Sequence, residues 1–286
     1  MAKVAIVSDS TCCLPVDILN KYGIQLVPLF IVYKGESYRD GIDITPGEVY
    51  KIMRKREDLP TTSTPSAGDF LEAYRKASQE TRSILCITLT SLQSKIYDVA
   101  LIAKEMAREE LPDVAIEVID SRAVAGALGF VVLGAARAAE YGAELDEVAN
   151  TARAMMKRVY LLAMVDTLFY LARTGRVGRA AAWAGSLFDI KPILEHNTIV
   201  GETAPAARPR TKVKAVKQLL EMFAERVGNQ KVHVNIHHAD ELDEGERLKR
   251  EIESKFNCAE TFLTEFTPGM GVHAGPGVIG LSFFTD

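Results

Sequence analysis

The chain has 286 residues, 48% of them hydrophobic and 25% charged, with a net charge of −4. That composition suits one large or two ordinary folded domains and excludes a disordered chain, while the slight negative charge supplies no basic face of the kind nucleic acid requires. No run approaches the ~20 uninterrupted apolar residues of a membrane span. The opening MAKVAIVSDS lacks a signal-peptide pattern, and Cys12, Cys13, Cys86 and Cys258 follow no metal-ligand spacing. A soluble, reduced, cytoplasmic protein is expected.

In chain order, KVAIVSD is β-branched and apolar and predicts a strand that stops at Ser8-Asp9-Ser10. PVDILNKYG has helical spacing with a Gly exit, and IQLVPLFIVY predicts the next strand. TPGEVYKIMRKRED predicts a helix with Thr45 at the N-cap and Pro46 in the first turn. SAGDFLEAYRKASQE follows as a helix capped by Ser66. SILCITLT (strand), SKIYDVALIAKEMAREEL (helix) and AIEVIDS (strand) continue the alternation. VAGALGFVVLGAARAAEYG and ELDEVANTARAMMKRVY are helical. Such alternation implies an α/β fold with a mostly parallel sheet covered on both faces, and ligands in such sheets sit beyond the carboxyl ends of the strands.

The texture changes near residue 160. YLLAMVDTLFYLARTGRVG and AAAWAGSLFDIKPILEHNTIV lead to a Pro- and Arg-rich connector, APAARPRTK. A helix (KVKAVKQLLEMFAERVG), a strand (VHVNIHH), an amphipathic helix (ADELDEGERLKREIESKF) and AETFLTEF follow. A Gly- and Pro-rich loop around GVHAGPG then runs into the buried strand GVIGLSFF. Two domains are expected: an N-terminal α/β domain over 1–160 and a smaller α/β domain over 161–286, with the ligand between them.

The familiar catalytic signatures are absent: no G-x-S-x-G elbow, no Walker A loop, and no G-x-G-x-x-G opening a helix after the first strand. His237 and His238 are adjacent on a strand and face opposite ways, so no joint metal site is expected. The hydroxyl cluster TTSTPS (61–66) lies ahead of a helix, whose free backbone N–H groups favour anions, and LTSLQS (89–94) repeats the theme between a strand and a helix. With the lone His273 they suggest a site for a small anionic head. Neutral hydroxyls and one imidazole suit a carboxylate better than a phosphate, for which Arg or Lys is usual. The large apolar side chains of LVPLFIVY and ETFLTEF are compatible with core packing and with a long apolar cavity. Arg173 and Arg176 in LARTGRVG, with Arg179 directly after it, form either a solvated helix end or a basic rim.

Together these segments resemble the DegV family, the fatty acid-binding subunits of the bacterial fatty acid kinase system. The likeness runs through VAIVSDST, YGIQLVPLFIVYKGESYRDGIDIT, PTTSTPS, VIDS, VDTLFYLARTGRVG, IKPIL and GVHAGPGVIGLSFF, over essentially the whole chain and in the family's order. The family's TSQPS stands here as Thr62-Ser63-Thr64-Pro65-Ser66, and its HTGPG as His273-Ala274-Gly275-Pro276-Gly277. Its SSxLSGTY stands as Thr90 to Tyr97, with Lys95 in place of the Gly, and SRAVAGALG lacks the usual Ser near Ala125. The resemblance implies the two-domain DegV-like fold, its first domain shared with the dihydroxyacetone kinase and mannose-transporter IIA groups. It also implies a long-chain fatty acid as ligand, with Thr62, Ser63, Ser91, Ser94 and His273 as carboxylate ligands. Arg173 and Arg176 become candidates for partner or phosphate contact. On this reading the chain is not itself an enzyme and carries no metal or cofactor, and its membrane contact is only transient. ATP and Mg²⁺ belong to an ATP-dependent kinase subunit that forms acyl phosphate. The alternative is a Ser/His hydrolase or acyltransferase using Ser63 or Ser91 with His273 as base, and behind it a regulatory module for another small ligand.

Overall fold

The computed structural model describes residues 3–186 and 190–286. Residues 187–189, within the run AAAWAGSLFDIKPILEHNTIV, lie outside the described residues. The first part of the chain forms β1 (Ala5–Asp9), α1 (Val16–Lys21), β2 (Gln25–Val27), β3 (Phe30–Tyr33), β4 (Glu36–Arg39), α2 (Pro46–Lys55) and β5 (Thr61–Ser63). It continues through α3 (Ala67–Ser78), β6 (Ser83–Thr88), α4 (Ile96–Glu110), β7 (Ala115–Asp120), α5 (Ala125–Glu140) and α6 (Leu145–Met156). Next come β8 (Tyr160–Met164), α7 (Phe169–Arg173), β9 (Ile193–Asn197), β10 (Glu202–Ala207) and α8 (Lys212–Val227). The chain closes with β11 (Val232–His238), α9 (Leu242–Lys255), β12 (Cys258–Glu265), α10 (Pro268–Ala274) and β13 (Ile279–Thr285).

Three sheets result. The first, in the order β2-β1-β6-β7, is wholly parallel. The α3–α4 pair covers one face and the α5–α6 pair the other. Its central strands are apolar on both sides, as two-sided burial demands. The second sheet, β10-β9-β8-β13-β11-β12, is antiparallel except for the β11–β12 pair. Helices α8 and α9 cover one face and α5 packs against the other. A small antiparallel sheet, β4-β3-β5, is the third. The period-two alternation of strands divides β8 cleanly. Leu162 and Met164 join Leu219, Phe223, Ile236 and Leu281 in the core under α8 and α9, whereas Leu161 faces the larger core shared with the first sheet.

Three sequence expectations need correction. IQLVPLFIVY is two strands in two sheets, because Pro28 has no N–H to continue a ladder. The first half of APAARPRTK is strand: Pro205 is tolerated in β10 because that strand is an edge, with its register broken between Pro205 and Ala207. The Gly- and Pro-rich segment before the last strand is a helix, α10. Thr267 caps it by accepting from Met270 N–H, Pro268 starts it, and Gly275 at φ +83° ends it.

The two large sheets are joined by buried polar contacts. Asn235 on β11 donates through Nδ2 to the carbonyl of Cys13 at 3.0 Å and accepts from the Thr264 hydroxyl at 3.0 Å. His237, fully buried, then donates from Nδ1 to Thr264 Oγ1 (2.8 Å) and accepts at Nε2 from Ser282 Oγ (3.0 Å). Burial, and then neighbouring His238, hold the His237 imidazole down to about 3, so it stays neutral. Gly126 in α5 lies directly above it: a Cβ there would sit 2.2 Å from His237 Nε2.

Candidate functional site

A cavity opens between the two large sheets, with about 980 Å³ of space free of protein atoms, its mouth included. Leu161 and Ala163 of β8, followed by Val165, form one wall, and Leu29, Leu89 and Val124 from the first part of the chain form another. Phe266, Met270 and Ala274 bring α10 and its approach into the lining. The polar lining consists of Thr11, Thr62, Ser63, Thr64, Gln93, Ser94, Arg176, His196, Thr203 and His273. A lining mostly apolar by area, with a limited polar set, is the usual build of a site for an amphipathic small molecule.

His273 stands on α10 with its Nε2 2.9 Å from the Thr62 hydroxyl. Thr62 is held opposite Ile31 in the β3–β5 pair. Burial, and then the positive charge of Arg176, lower the His273 imidazole to about 4. It is therefore neutral at pH 7, with one donor nitrogen and one acceptor. Among the described residues, its Nδ1 is the one buried side-chain nitrogen or oxygen without a hydrogen-bond partner. If the Thr62 hydroxyl donates to Nε2, Nδ1 carries the proton and is a free donor. Buried polar groups are nearly always satisfied, so this nitrogen is an unmet hydrogen-bonding group on a residue that lines the cavity.

The other sequence candidates separate. Ser63 and Ser94 line the cavity with Thr62 and His273. Ser91 does not: its hydroxyl donates to Asp120 Oδ2 at 2.6 Å and its N–H to Oδ1 at 3.2 Å, tying the turn after β6 to the end of β7. Arg173 is also outside the lining. Its guanidinium donates to the carbonyls of Pro60 (3.1 Å) and Leu59 (2.8 Å), which steadies the chain entering β5 and hence Thr62. Arg176 does line the cavity, donates to Gln93 O at 3.2 Å, and reaches an adjoining cleft shared with Arg179, Gly175 and Gly178. It adds a positive charge to a head-group site expected from hydroxyls and imidazole alone.

A polar relay in the cavity wall has no local signature in the sequence. Gln93 Nε2 donates to Thr203 Oγ1 at 3.0 Å, Thr203 donates to His196 Nδ1 at 2.9 Å, and His196 Nε2 donates to Arg122 O at 2.9 Å. His196 and Thr203 are cross-strand partners in the β9–β10 hairpin, a signal visible only once that hairpin is known. Thr90 Oγ1 donates to Gly201 O at 3.2 Å and Arg122 Nη1 to Ile199 O at 2.9 Å, docking the hairpin on the first part of the chain.

For nucleophilic catalysis a serine must be hydrogen-bonded to the cavity histidine. Here the imidazole partner is Thr62, the Ser63 hydroxyl donates to Thr64 O at 3.4 Å, and Ser91 is committed to Asp120. Among the described residues no group of three or more His, Cys, Asp or Glu is placed to hold a metal, and no helix is long and apolar enough to cross a membrane. The cavity thus combines a largely apolar lining with a small polar group of hydroxyls, Arg176 and His273.

Known proteins share both the sequence and the fold. A sequence model described as an uncharacterised protein of the DegV family matches residues 3–286. A DegV domain-containing protein of Clostridium acetobutylicum is 35% identical over 99% of this chain and 98% of its own length. A DegV family protein of Thermus thermophilus, solved for its fatty acid binding, superposes with a TM-score of 0.90 at 30% identity, covering 100% of both chains. DegV of Bacillus subtilis, a fatty acid-binding protein, gives 0.89 at 27% identity over 100% of both chains. A stearic acid-binding protein of Eubacterium ventriosum gives 0.89 at 28% identity, over 100% of this chain and 98% of its own. The match spans the sheets, the cavity walls and α10 alike, and the chain belongs to the DegV family.

Proposed function

We propose that this protein binds one long-chain fatty acid, with its carboxylate against Thr62, Ser63, Ser94, Arg176 and His273 and its acyl chain among the apolar walls. The observation that carries this reading is the buried, unpartnered Nδ1 of His273 in a cavity otherwise lined largely by apolar groups. The fatty acids bound by the Thermus, Bacillus and Eubacterium proteins support the choice of ligand. Burial of fifteen acyl carbons at ~0.8 kcal/mol each gives about 12 kcal/mol before the costs of association. That gain survives only if the carboxylate is paired, because an unsatisfied buried charge costs several kcal/mol.

In this role the chain is a carrier that presents the acid to an ATP-dependent kinase subunit. The partner supplies ATP and Mg²⁺ and forms the acyl phosphate, and Arg176 and Arg179 face the cleft next to the head group. Native mass spectrometry of protein purified from cells should show one fatty acid per chain, and lipid-stripped protein should take up added palmitate. His273→Ala and Thr62→Val should each reduce retention about tenfold or more, the worth of one hydrogen bond to a charged group. Ser94→Ala should weaken retention as well, whereas Ser91→Ala should act only through the Asp120 turn. A protein that purifies without lipid and ignores added palmitate would refute the proposal.

A further inference from the structure

Asp40 is a carboxylate at 3% exposure that does not line the cavity. It follows β4, and its own N–H is bonded to Leu29 O at 2.8 Å. Its Oδ2 accepts from Ser10 Oγ at 2.5 Å, and its Oδ1 accepts from the N–H of Gly269 at 2.9 Å, in the first turn of α10. Ser10 Oγ in turn accepts from Leu29 N–H at 3.1 Å. The helix is pressed onto this carboxylate: a Cβ at Gly269 would sit 3.0 Å from Asp40 Oδ2. Burial raises the carboxyl to about 6, against the pull of its bonds to Ser10, Gly269 and Thr267.

These contacts have a geometrical consequence. The β4-β3-β5 sheet carries Thr62 on β5, and the same sheet holds Gly269 through Asp40 at the end of β4. Gly269 and His273 are four residues apart, one helical turn. Both ends of the Thr62–His273 contact are thus referenced to one small sheet, although 211 residues separate the two in sequence. We propose that Asp40 is the positioning residue for His273, anchoring α10 to the sheet that bears Thr62 so that the imidazole meets the ligand head at a fixed depth. The effect on ligand rests on the fatty acid reading above; the effect on the imidazole does not.

Asp40→Ala and Asp40→Asn in the full chain separate positioning from mere burial, because Asn keeps an oxygen for Gly269 N–H. The readouts are the ¹⁵N resonances of the His273 ring and hydrogen exchange of the Gly269 amide in lipid-stripped protein, and then palmitate affinity. Asp40→Ala should move the His273 resonances, speed Gly269 exchange and weaken palmitate about tenfold, the worth of one charged hydrogen bond. Asp40→Asn should restore all three. Should Asp40→Ala not fold, Ser10→Ala, which removes only the hydroxyl on Oδ2, should move the same His273 resonances in the same direction. Unchanged His273 resonances in the folded variants, or an Asn variant as impaired as Ala, would overturn the assignment. If the resonances respond while wild-type protein ignores palmitate, the positioning role stands and the fatty acid reading falls.

Discussion

Ala163 offers a direct measure of whether an acyl chain occupies the space between the sheets. It lies in β8 and lines the cavity beside Leu161 and Val165. Replacement by Leu adds three carbons on the cavity side, in space that an acyl chain would otherwise fill. Excluding about three methylenes at ~0.8 kcal/mol each costs about 2.4 kcal/mol, or roughly a 60-fold loss of affinity. Displacement of a fluorescent fatty acid by saturated acids of roughly 12 to 18 carbons would read this loss, with the longest acids losing most. The unfolding midpoint of lipid-stripped Ala163→Leu should hold or rise, since filling a cavity is a common route to stabilisation. Equal affinity of wild type and variant across the whole series would show that the chain does not pass Ala163, and the placement of the tail would be wrong.

Gly126→Ala tests the buried contact between α5 and the second sheet. Its Cβ would lie 2.2 Å from His237 Nε2 and 2.9 Å from Ser282 Oγ, so overpacking and a broken bond together should cost about 3 kcal/mol. Differential scanning calorimetry should show a midpoint several degrees lower, and an unchanged midpoint would mean that α5 yields easily. Acid stability carries a second signature. The imidazoles of His237 and His273, held at about 3 and about 4 against an ordinary 6.5, stay neutral in the fold while the unfolded chain takes up protons. Stability should therefore fall as pH drops below 6.5, by up to about 1.4 kcal/mol per pH unit for each imidazole until its folded value is reached. Asp40, raised to about 6 from 3.8, works in the opposite sense, gaining stability as pH falls through that window. Urea titrations between pH 4 and pH 6.5 should show a shallower acid loss in His273→Gln than in wild type. Identical slopes would contradict the buried, neutral state of His273.

What could be read from the sequence was local. The caps at Thr45 and Ser66 depend on residues three positions away, and both helices start there, with the cap side chains accepting from Glu48 N–H and Asp69 N–H. The strand-helix alternation up to residue 160 follows from periodicity in the same way. Helix α10 was illegible because its glycines read as loop formers, each costing about 1 kcal/mol in a helix. In the fold they serve close approach: a Cβ at Gly271 would sit 2.7 Å from the Tyr50 ring. That Ser94 lines the cavity and Ser91 does not is equally hidden, because it turns on Asp120 of a neighbouring strand accepting from Ser91. Gln93 and Thr203 are 110 residues apart, and no local pattern pairs them. Thr62 and His273 converge across an even longer span; residue chemistry groups the hydroxyl clusters with the lone imidazole, but no local pattern pairs these two side chains.

The alternation along β8 bears on how such proteins diverge. Even-numbered Leu162 and Met164 are packed with the side chains of α8 and α9, while odd-numbered Leu161 and Ala163, with Val165 just beyond, look into the cavity. Selection for a different ligand can thus act on one parity of a single strand while folding constrains the other. Relatives with the same backbone are then free to prefer acids of different length, and the record of that preference would be written at every second residue.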